Sequence, residues 1–479
     1  MPERLSPRDA SLLRPADAQQ ALHVGSVAVL EPPAGESLSF EALLELLVER
    51  LPLLPRLRQR VRQVPAGLGR PVWVDDAAFD LSYHVRRVAL PPPGTEAQLR
   101  ALVARLQSRP LDPDRPLWEL YVVEGLERNR VALVSKTHHV LVHGLAAADV
   151  GTLVLDVTPQ PRPAPAGDWA PRPEPSAVGL TVDAVGNLLR SPFAVAEVAW
   201  GAAADVGRTT RAVVTTAAGL LATARATARP AASGPLGAPV GVSRRFATAV
   251  GSLAELREVR DRHGGTVHDA VLAVVAGGLR AWLLARGEPV PRGRTVRVLA
   301  PLSVAGAADG ATDGTTQLPD LAVAPGGEAV AACFVDLPVG EADPVVRLHQ
   351  ISYGMQVAQQ AYEPVGARTL VALTGLTPPT LHSLGARVVS GMARRFYSVV
   401  VSNVPGPQYP LYAAGARLVA LYPVVPLTPG HPLTVGATSY DGSVFFGLLG
   451  DREAMPDIDV LAGCLEEALD ELVDHRSVY

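Results

Sequence analysis

Two adjacent histidines, His138 and His139, close the run VALVSKTHH, and His143 and Gly144 follow within five residues. An unperturbed imidazole titrates near pH 6.5, which suits it to take a proton at neutral pH. At the end of a strand one ring can face a cavity while its neighbour faces the scaffold. A bare pair of partly buried histidines gives the same pattern, so the pair alone leaves both readings open. His139 and His143 also stand at i, i+4, a spacing that can offer two ligands to a metal. Val140, and not a glutamate, follows His139, so the HExxH pattern is absent, and no third ligand sits at a recognisable spacing. If Gly144 opens the helix, the two rings share no helical face, and no metal is expected.

Other chemistries lack their signatures. The chain holds no GxSxG elbow, no GxxxxGK[ST] phosphate cradle and no GxGxxG dinucleotide turn. The balance of 43 Lys+Arg against 47 Asp+Glu, net −4, excludes the basic footprint of a general nucleic-acid binder. With 48% hydrophobic and 19% charged residues the chain is too apolar to be disordered, and its 479 residues suffice for two or three cores. Two cysteines, Cys333 and Cys464, make no disulfide framework. The opening MPERLSPRD is charged with no apolar stretch behind it, so no leader is expected. No run of 18 apolar residues is free of charge and proline, so no spanning helix is expected either.

The elements that must carry the histidines are legible. Phe40, Leu43, Leu44, Leu47 and Val48 predict a helix over 39–51 that Pro52 stops, and Thr95 with Gln98 predicts a capping box before a helix over 96–107. WELYVVEGL (118–126) and VALVSKTHH (131–139) read as strands joined by a turn at Glu127, Arg128 and Asn129. A helical stripe of Val150, Leu153, Val154 and Val157 is expected after Gly144. Seven prolines between 159 and 175 mark a linker, and the Ala/Val-rich 177–230 reads as helical with a break at Pro192. A second α/β region begins near 236. Helices are expected at 267–286 and 459–473, and strands at 295–300, 329–337, 397–403, 417–425, 432–438 and 443–450.

Taken in order, several segments resemble the bacterial wax ester synthase/acyl-CoA:diacylglycerol acyltransferase family. LSPRDASLL (5–13) is similar to its opening, and Pro116-Leu117-Trp118 to its Pro-Leu-Trp signature. His138, His139 and Gly144 occupy its HHxxxDG motif, and TVHDAVLAVVAGGLRAWL (266–283) resembles the segment with its Asn-Asp pair. FVDLP (334–338), DPVVRLHQI (343–351) and SNVPGPQYPLYAAGARL (402–418) match in order. The resemblance implies an α/β fold of two chloramphenicol acetyltransferase-like domains, each a mixed sheet flanked by helices, with a substrate tunnel at their interface. The expected division is 1-160 for an N-terminal acyltransferase domain, 161-235 for the linker and Ala-rich helices, and 236-479 for a C-terminal acyltransferase-like domain.

The same resemblance implies an O-acyltransferase that moves a fatty acyl group from acyl-CoA, its co-substrate, to diacylglycerol or a long-chain alcohol. No further cofactor, metal or nucleic acid is implied. His139 would be the base and His138 would orient it. His143, Gly144, His268 and Asp269 would support the motif, while Pro116, Leu117, Trp118, Asn403, Pro405 and Gly406 would contact substrate. Bland readings stand beside these: an indole simply buried at Trp118, turn chemistry at 403–407, and helix-end electrostatics at Asp269. His143 replaces the motif Asp, and His268 replaces the Asn of the Asn-Asp pair. Those two changes motivate an alternative, a weakly active or inactive homologue that binds acyl chains or lipid inclusions. A third reading is transfer to another acceptor, such as a carrier-bound amine. The expected location is cytoplasmic, with peripheral contact at the inner membrane face or at lipid inclusions left open.

Overall fold

The structure, a computed structural model, describes residues 2–5, 9–10, 13, 22–65, 70–144, 153–162, 169–190, 234–304, 322–323, 329–360 and 397–475. Strand β1 (His23–Glu31) leads to helix α1 (Phe40–Arg50), whose first turn is capped by Ser39 accepting the Ala42 N–H. A small hairpin follows, β2 (Gln59–Arg62) with β3 (Val72–Asp75), then strand β4 (Val85–Ala89). Helix α2 (Glu96–Gln107) begins at the expected capping box: Thr95 accepts the Gln98 N–H, and Gln98 accepts the Thr95 N–H. Strands β5 (Trp118–Glu124) and β6 (Val131–His138) form an antiparallel pair, and Arg128 and Asn129 take positive φ in the turn between them.

Helix α3 (His139–Gly144) starts at His139, immediately after β6, and not at Gly144 as the sequence suggests. The strand's last pairings reach His138, and the His139 N–H still donates to Leu22 O at 3.0 Å. The chain therefore turns into helix with no loop between. His139 and His143 thus share one helix at i, i+4 after all. The helical stripe expected after Gly144 falls partly outside the described residues, and Val157 within them is not helical. Of the Ala-rich region, α4 (Ala177–Arg190) is a helix; residues 191–233, Pro192 included, lie outside the described residues.

The second half runs β7 (Arg244–Ser252), α5 (Leu253–His263), α6 (Val267–Ala285), β8 (Val296–Val304), β9 (Ala322–Val323), β10 (Ala329–Leu337) and α7 (Pro344–Gln360). It continues with β11 (Val399–Pro405), β12 (Tyr412–Ala413), β13 (Ala416–Val424), β14 (Leu433–Tyr440), β15 (Ser443–Asp451) and α8 (Ile458–Asp474). Helix α6 is long and apolar enough to cross a membrane, yet most of it is buried in the core with α8 and the second sheet.

Two mixed sheets organise these elements. The first has the order β12-β13-β1-β6-β5-β4, and the second β7-β15-β14-β11-β8-β10-β9. The β4/β5, β8/β11 and β11/β14 pairs are parallel and the remaining pairs in the two sheets antiparallel. The division expected at 236 is a division of sequence: in space, β12 and β13 from the second segment complete the sheet of the first. Val424 on β13 pairs with Gly25 on β1, and Arg417 with Glu31.

This crossing strand is seated on glycines of the second sheet. A Cβ on Gly447 would lie 1.9 Å from Pro423 O, and one on Gly436 would lie 2.9 Å from Pro423 Cγ. Overpacking of this kind typically costs about 1–3 kcal/mol. Gly447→Ala is therefore expected to lower the apparent Tm, because the obstacle is backbone. Gly463→Ala in α8, where a Cβ meets nothing within 4 Å, serves as control and should leave Tm unchanged or raise it. Equal Tm for both variants would show that the seam is not tightly packed.

Candidate active site

His138 stands opposite His23 in the β1/β6 pair, with ring centroids 6.1 Å apart and planes at 70°. Its Nδ1 accepts the Val140 N–H at 3.3 Å, so the neutral ring carries its proton on Nε2. Burial holds the His138 pKa down to about 4. Burial, with the nearby charge of Lys136, keeps His23 well below the ordinary histidine range. Beneath the pair lies a polar group that sequence reading missed. Lys136, fully buried, donates to Arg109 O, and its Nζ lies 3.7 Å from Glu119, while Tyr121 donates to Glu119 at 2.7 Å and Arg86 lies 3.2 Å from it. Burial lowers the Lys136 pKa to about 8. The only signal for this group was a lone lysine two residues before His138, on the same face of the strand.

His139 opens α3, partly exposed, its backbone tied to Leu22. The strand fixes where the helix starts and so where this ring emerges. A neutral His138 beside it is a hydrogen-bonding neighbour and not a competing cation. The consequence for stability has a definite sign. Between the folded value near 4 and the unfolded value near 6.5, the unfolded chain binds a proton that the native chain refuses. Stability is therefore complete above about pH 6.5 and falls as pH drops toward 4. Thermal melts between pH 4 and 7 should show Tm rising with pH, and His138→Gln should flatten the slope. An unchanged slope would contradict the buried, neutral ring.

The Asn-Asp segment gives a second group. Thr266 caps α6, and Asp269 completes a capping box by accepting the Thr266 N–H at 2.9 Å. Asp269 also accepts from Ser352 Oγ at 3.0 Å. Its carboxylate is thus committed to holding the helix end against α7. His268, one residue earlier, meets Asn403 of β11, Nδ1 to Nδ2, at 3.1 Å. Burial lowers the His268 pKa, against an opposing pull from Asp269.

Strand pairing and packing link the two sheets that carry these groups. His138 opposes His23 on β1, and Gly25, two residues on, opposes Val424 of β13. Pro423 and Val425 press on Gly436, which opposes Ser402, the neighbour of Asn403. The remaining expected site residues are placed otherwise. Pro116, Leu117 and Trp118 are buried; Trp118 donates its indole N–H to Leu57 O at 2.7 Å and stacks on His84 at 4.6 Å. Leu117 and Trp118 pack in the first core, with the indole turned inward on the strand. Pro405 is exposed, and a Cβ on Gly406 would lie 2.3 Å from Ser439 O, so this pair makes the turn that ends β11. His143 and Gly144 lie on α3; the His143 side chain lies outside what the structure describes. Among the described residues no group of three or more His, Cys, Asp or Glu side chains could hold a metal ion.

This arrangement matches a family description. The wax ester synthase/diacylglycerol acyltransferase catalytic domain aligns with residues 5–271, and the C-terminal domain of the same family with 326–473. The chain belongs to the wax ester synthase/diacylglycerol acyltransferase family. It is 32% identical to a probable diacylglycerol O-acyltransferase, tgs1, of Mycobacterium tuberculosis, over 98% of this chain and 95% of that one. Its fold is similar to that of a wax ester synthase/diacylglycerol acyltransferase from Marinobacter aquaeolei, with TM-score 0.68, 27% identity and 98% of each chain covered. A starter condensation domain of rhizomide synthetase shares the fold at TM-score 0.54 and 13% identity, over 99% of this chain and 95% of that one. The two-sheet α/β architecture expected for wax ester synthase/diacylglycerol acyltransferase relatives is therefore the one this chain has.

Proposed function

We propose that the protein is an acyl-CoA-dependent O-acyltransferase that forms triacylglycerol from diacylglycerol or wax ester from a long-chain alcohol. The observation that carries this reading is the intact His138-His139 pair at the β6/α3 junction of a chain that matches the family's catalytic domain. In this reading His139 takes the proton of the acceptor hydroxyl as its oxygen attacks the thioester carbonyl carbon. The tetrahedral intermediate then collapses, the C–S bond breaks, and the imidazolium returns the proton to the CoA thiolate. No acyl-enzyme and no cofactor beyond the acyl-CoA co-substrate enter. Holding both substrates in line supplies part of the acceleration. His138, neutral and fixed through Val140, orients the motif.

The acceptor is a lipid, so the protein works from the cytoplasm at a membrane face or lipid inclusion. Helix α4 supports that contact: Leu180 is buried against Val64, Val72 and Val74, while Val178 and Val182 are 73% and 63% exposed. The discriminating experiment offers purified protein palmitoyl-CoA with hexadecanol and diolein together and identifies the lipid products. Hexadecyl palmitate or triacylglycerol supports the reading; an amide product with an added amine, and no ester, would favour transfer to a different acceptor.

A further inference from the structure

The proline-rich linker carries one aromatic residue, Trp169, and the stretch that follows it lies down on the β2/β3 hairpin. Arg172 grips Asp75 of β3 with two guanidinium bonds of 3.1 Å and with its backbone N–H at 3.0 Å. Glu174 meets Arg60 of β2 at 2.9 Å, and Leu180 fills the apolar patch of Val64, Val72 and Val74. Trp169 reaches further inward. The Arg58 guanidinium lies over its ring, Cζ to centroid 4.4 Å. Arg58 is only 6% exposed, and its Nε is buried with no hydrogen-bond partner among the described residues. Asp75, whose charge it feels, is already bonded to Arg172 and Gln59. The indole face thus supports a cation withdrawn from water, where such a contact is strongest.

Arg58 closes the short turn Pro55–Arg58, and α3 packs against that turn. Leu57 of the turn is fully buried in one core with Val140 and Leu141 of α3. Leu57 O also accepts the Trp118 indole N–H, Trp118 pairs with Thr137 of β6, and the His138 N–H donates to Leu117 O at 2.9 Å. The turn therefore bears on the helix that His139 opens and on the strand that ends at His138. A second line of contact runs the same way: the rings of Trp169, Phe79, His84 and Trp118 meet in series, with centroids 6.4, 5.2 and 4.6 Å apart.

We propose that Trp169 is a positioning residue, and that through Arg58 it makes residues 169–180 a strap that holds the turn 55–58 against α3 and so fixes where the His139 ring stands. The inference rests on the acyltransferase reading and goes beyond it by giving the linker a part in turnover. A helix of six residues has little to hold it but its neighbours. Misplacing a reacting group by about 1 Å costs on the order of 10²-fold in rate. The loss belongs to kcat, because the strap displaces the base and adds nothing to substrate binding.

The test compares full-length wild type, Trp169→Ala and Trp169→Phe by turnover of palmitoyl-CoA with hexadecanol, by Tm, and by backbone amide exchange. Trp169→Ala should lower kcat by about 10–10²-fold with KM nearly unchanged and Tm within a few degrees of wild type. Amides of residues 139–144 should exchange faster, while those of α6 and α8 keep the wild-type rate. Trp169→Phe, which keeps a ring face for Arg58, should restore most of both. A tryptophan that only stabilises would lower Tm and leave kcat and the 139–144 exchange alone, and that result would overturn the proposal. So would a fall in kcat with wild-type exchange over 139–144, or a phenylalanine variant no better than alanine. Faster 139–144 exchange in Trp169→Ala, with a wild type that makes no ester, would instead count against the acyltransferase reading.

Discussion

His139→Ala is expected to lower acceptor-dependent CoA release by about 10²–10⁴-fold, the usual worth of general-base assistance. The fold should survive the change. The backbone N–H of position 139 donates to Leu22 O, a bond that an alanine keeps, and alanine is a good helix former at the start of α3. Tm within a few degrees of wild type, with turnover lost, separates loss of a proton acceptor from loss of structure. His138→Ala should also lose activity, but with a fall in Tm, because its ring accepts the Val140 N–H and packs beside His23. Near-full turnover in His139→Ala would move the base to another residue.

Trp118→Ala is expected to have the largest effect on stability. The indole is fully buried, stacks on His84, and its N–H serves Leu57 O. Truncating a buried aromatic of this size costs about 3–5 kcal/mol. Trp118→Phe keeps most of the packing and leaves Leu57 O without its donor, at a cost of about 1–3 kcal/mol. Thermal or urea unfolding measures both, and the order Ala below Phe below wild type is expected. KM for acyl-CoA and acceptor should be unchanged in the phenylalanine variant. A selective rise in KM with unchanged Tm would return Trp118 to the substrate-contacting set.

Local features of this chain were legible because they depend on neighbours in sequence. Thr95 with Gln98 wrote the start of α2, turn residues at 127–129 wrote the β5/β6 hairpin, and apolar spacing wrote α6 and α8. The paired histidines at a strand end were legible for the same reason. Several strands were not, β1, β4 and β7 among them. β1 holds a glycine at 25, required because a Cβ there would lie 2.1 Å from Ser135 O, and glycine weakens a strand signal. β4, VRRVA, is a partly exposed edge whose charges hide the pattern, and β7, RRFATAVGS, alternates too weakly to stand out.

The long-range pairings were out of reach. That β13 leaves the second sheet to lie beside β1 is a choice of register between residues about 400 positions apart, which no local pattern encodes. The contact of Asn403 with His268 spans 135 positions and follows from β11 packing beside α6. Family resemblance marked both residues but could not say that they meet. It also marked Asp269, whose capping box with Thr266 is visible locally and explains the carboxylate without substrate. The start of α3 at His139 was misread because glycine usually punctuates such a step, whereas here the strand passes into helix through a backbone bond to Leu22.

The central claim is tested most directly by measuring thiol release and ester formation together, with purified protein, palmitoyl-CoA and hexadecanol or diolein. The expected result is one thiol released per ester formed, dependent on acceptor and absent in His139→Ala. Thiol release that ignores the acceptor, or bound acyl-CoA with no ester from either alcohol, would contradict it.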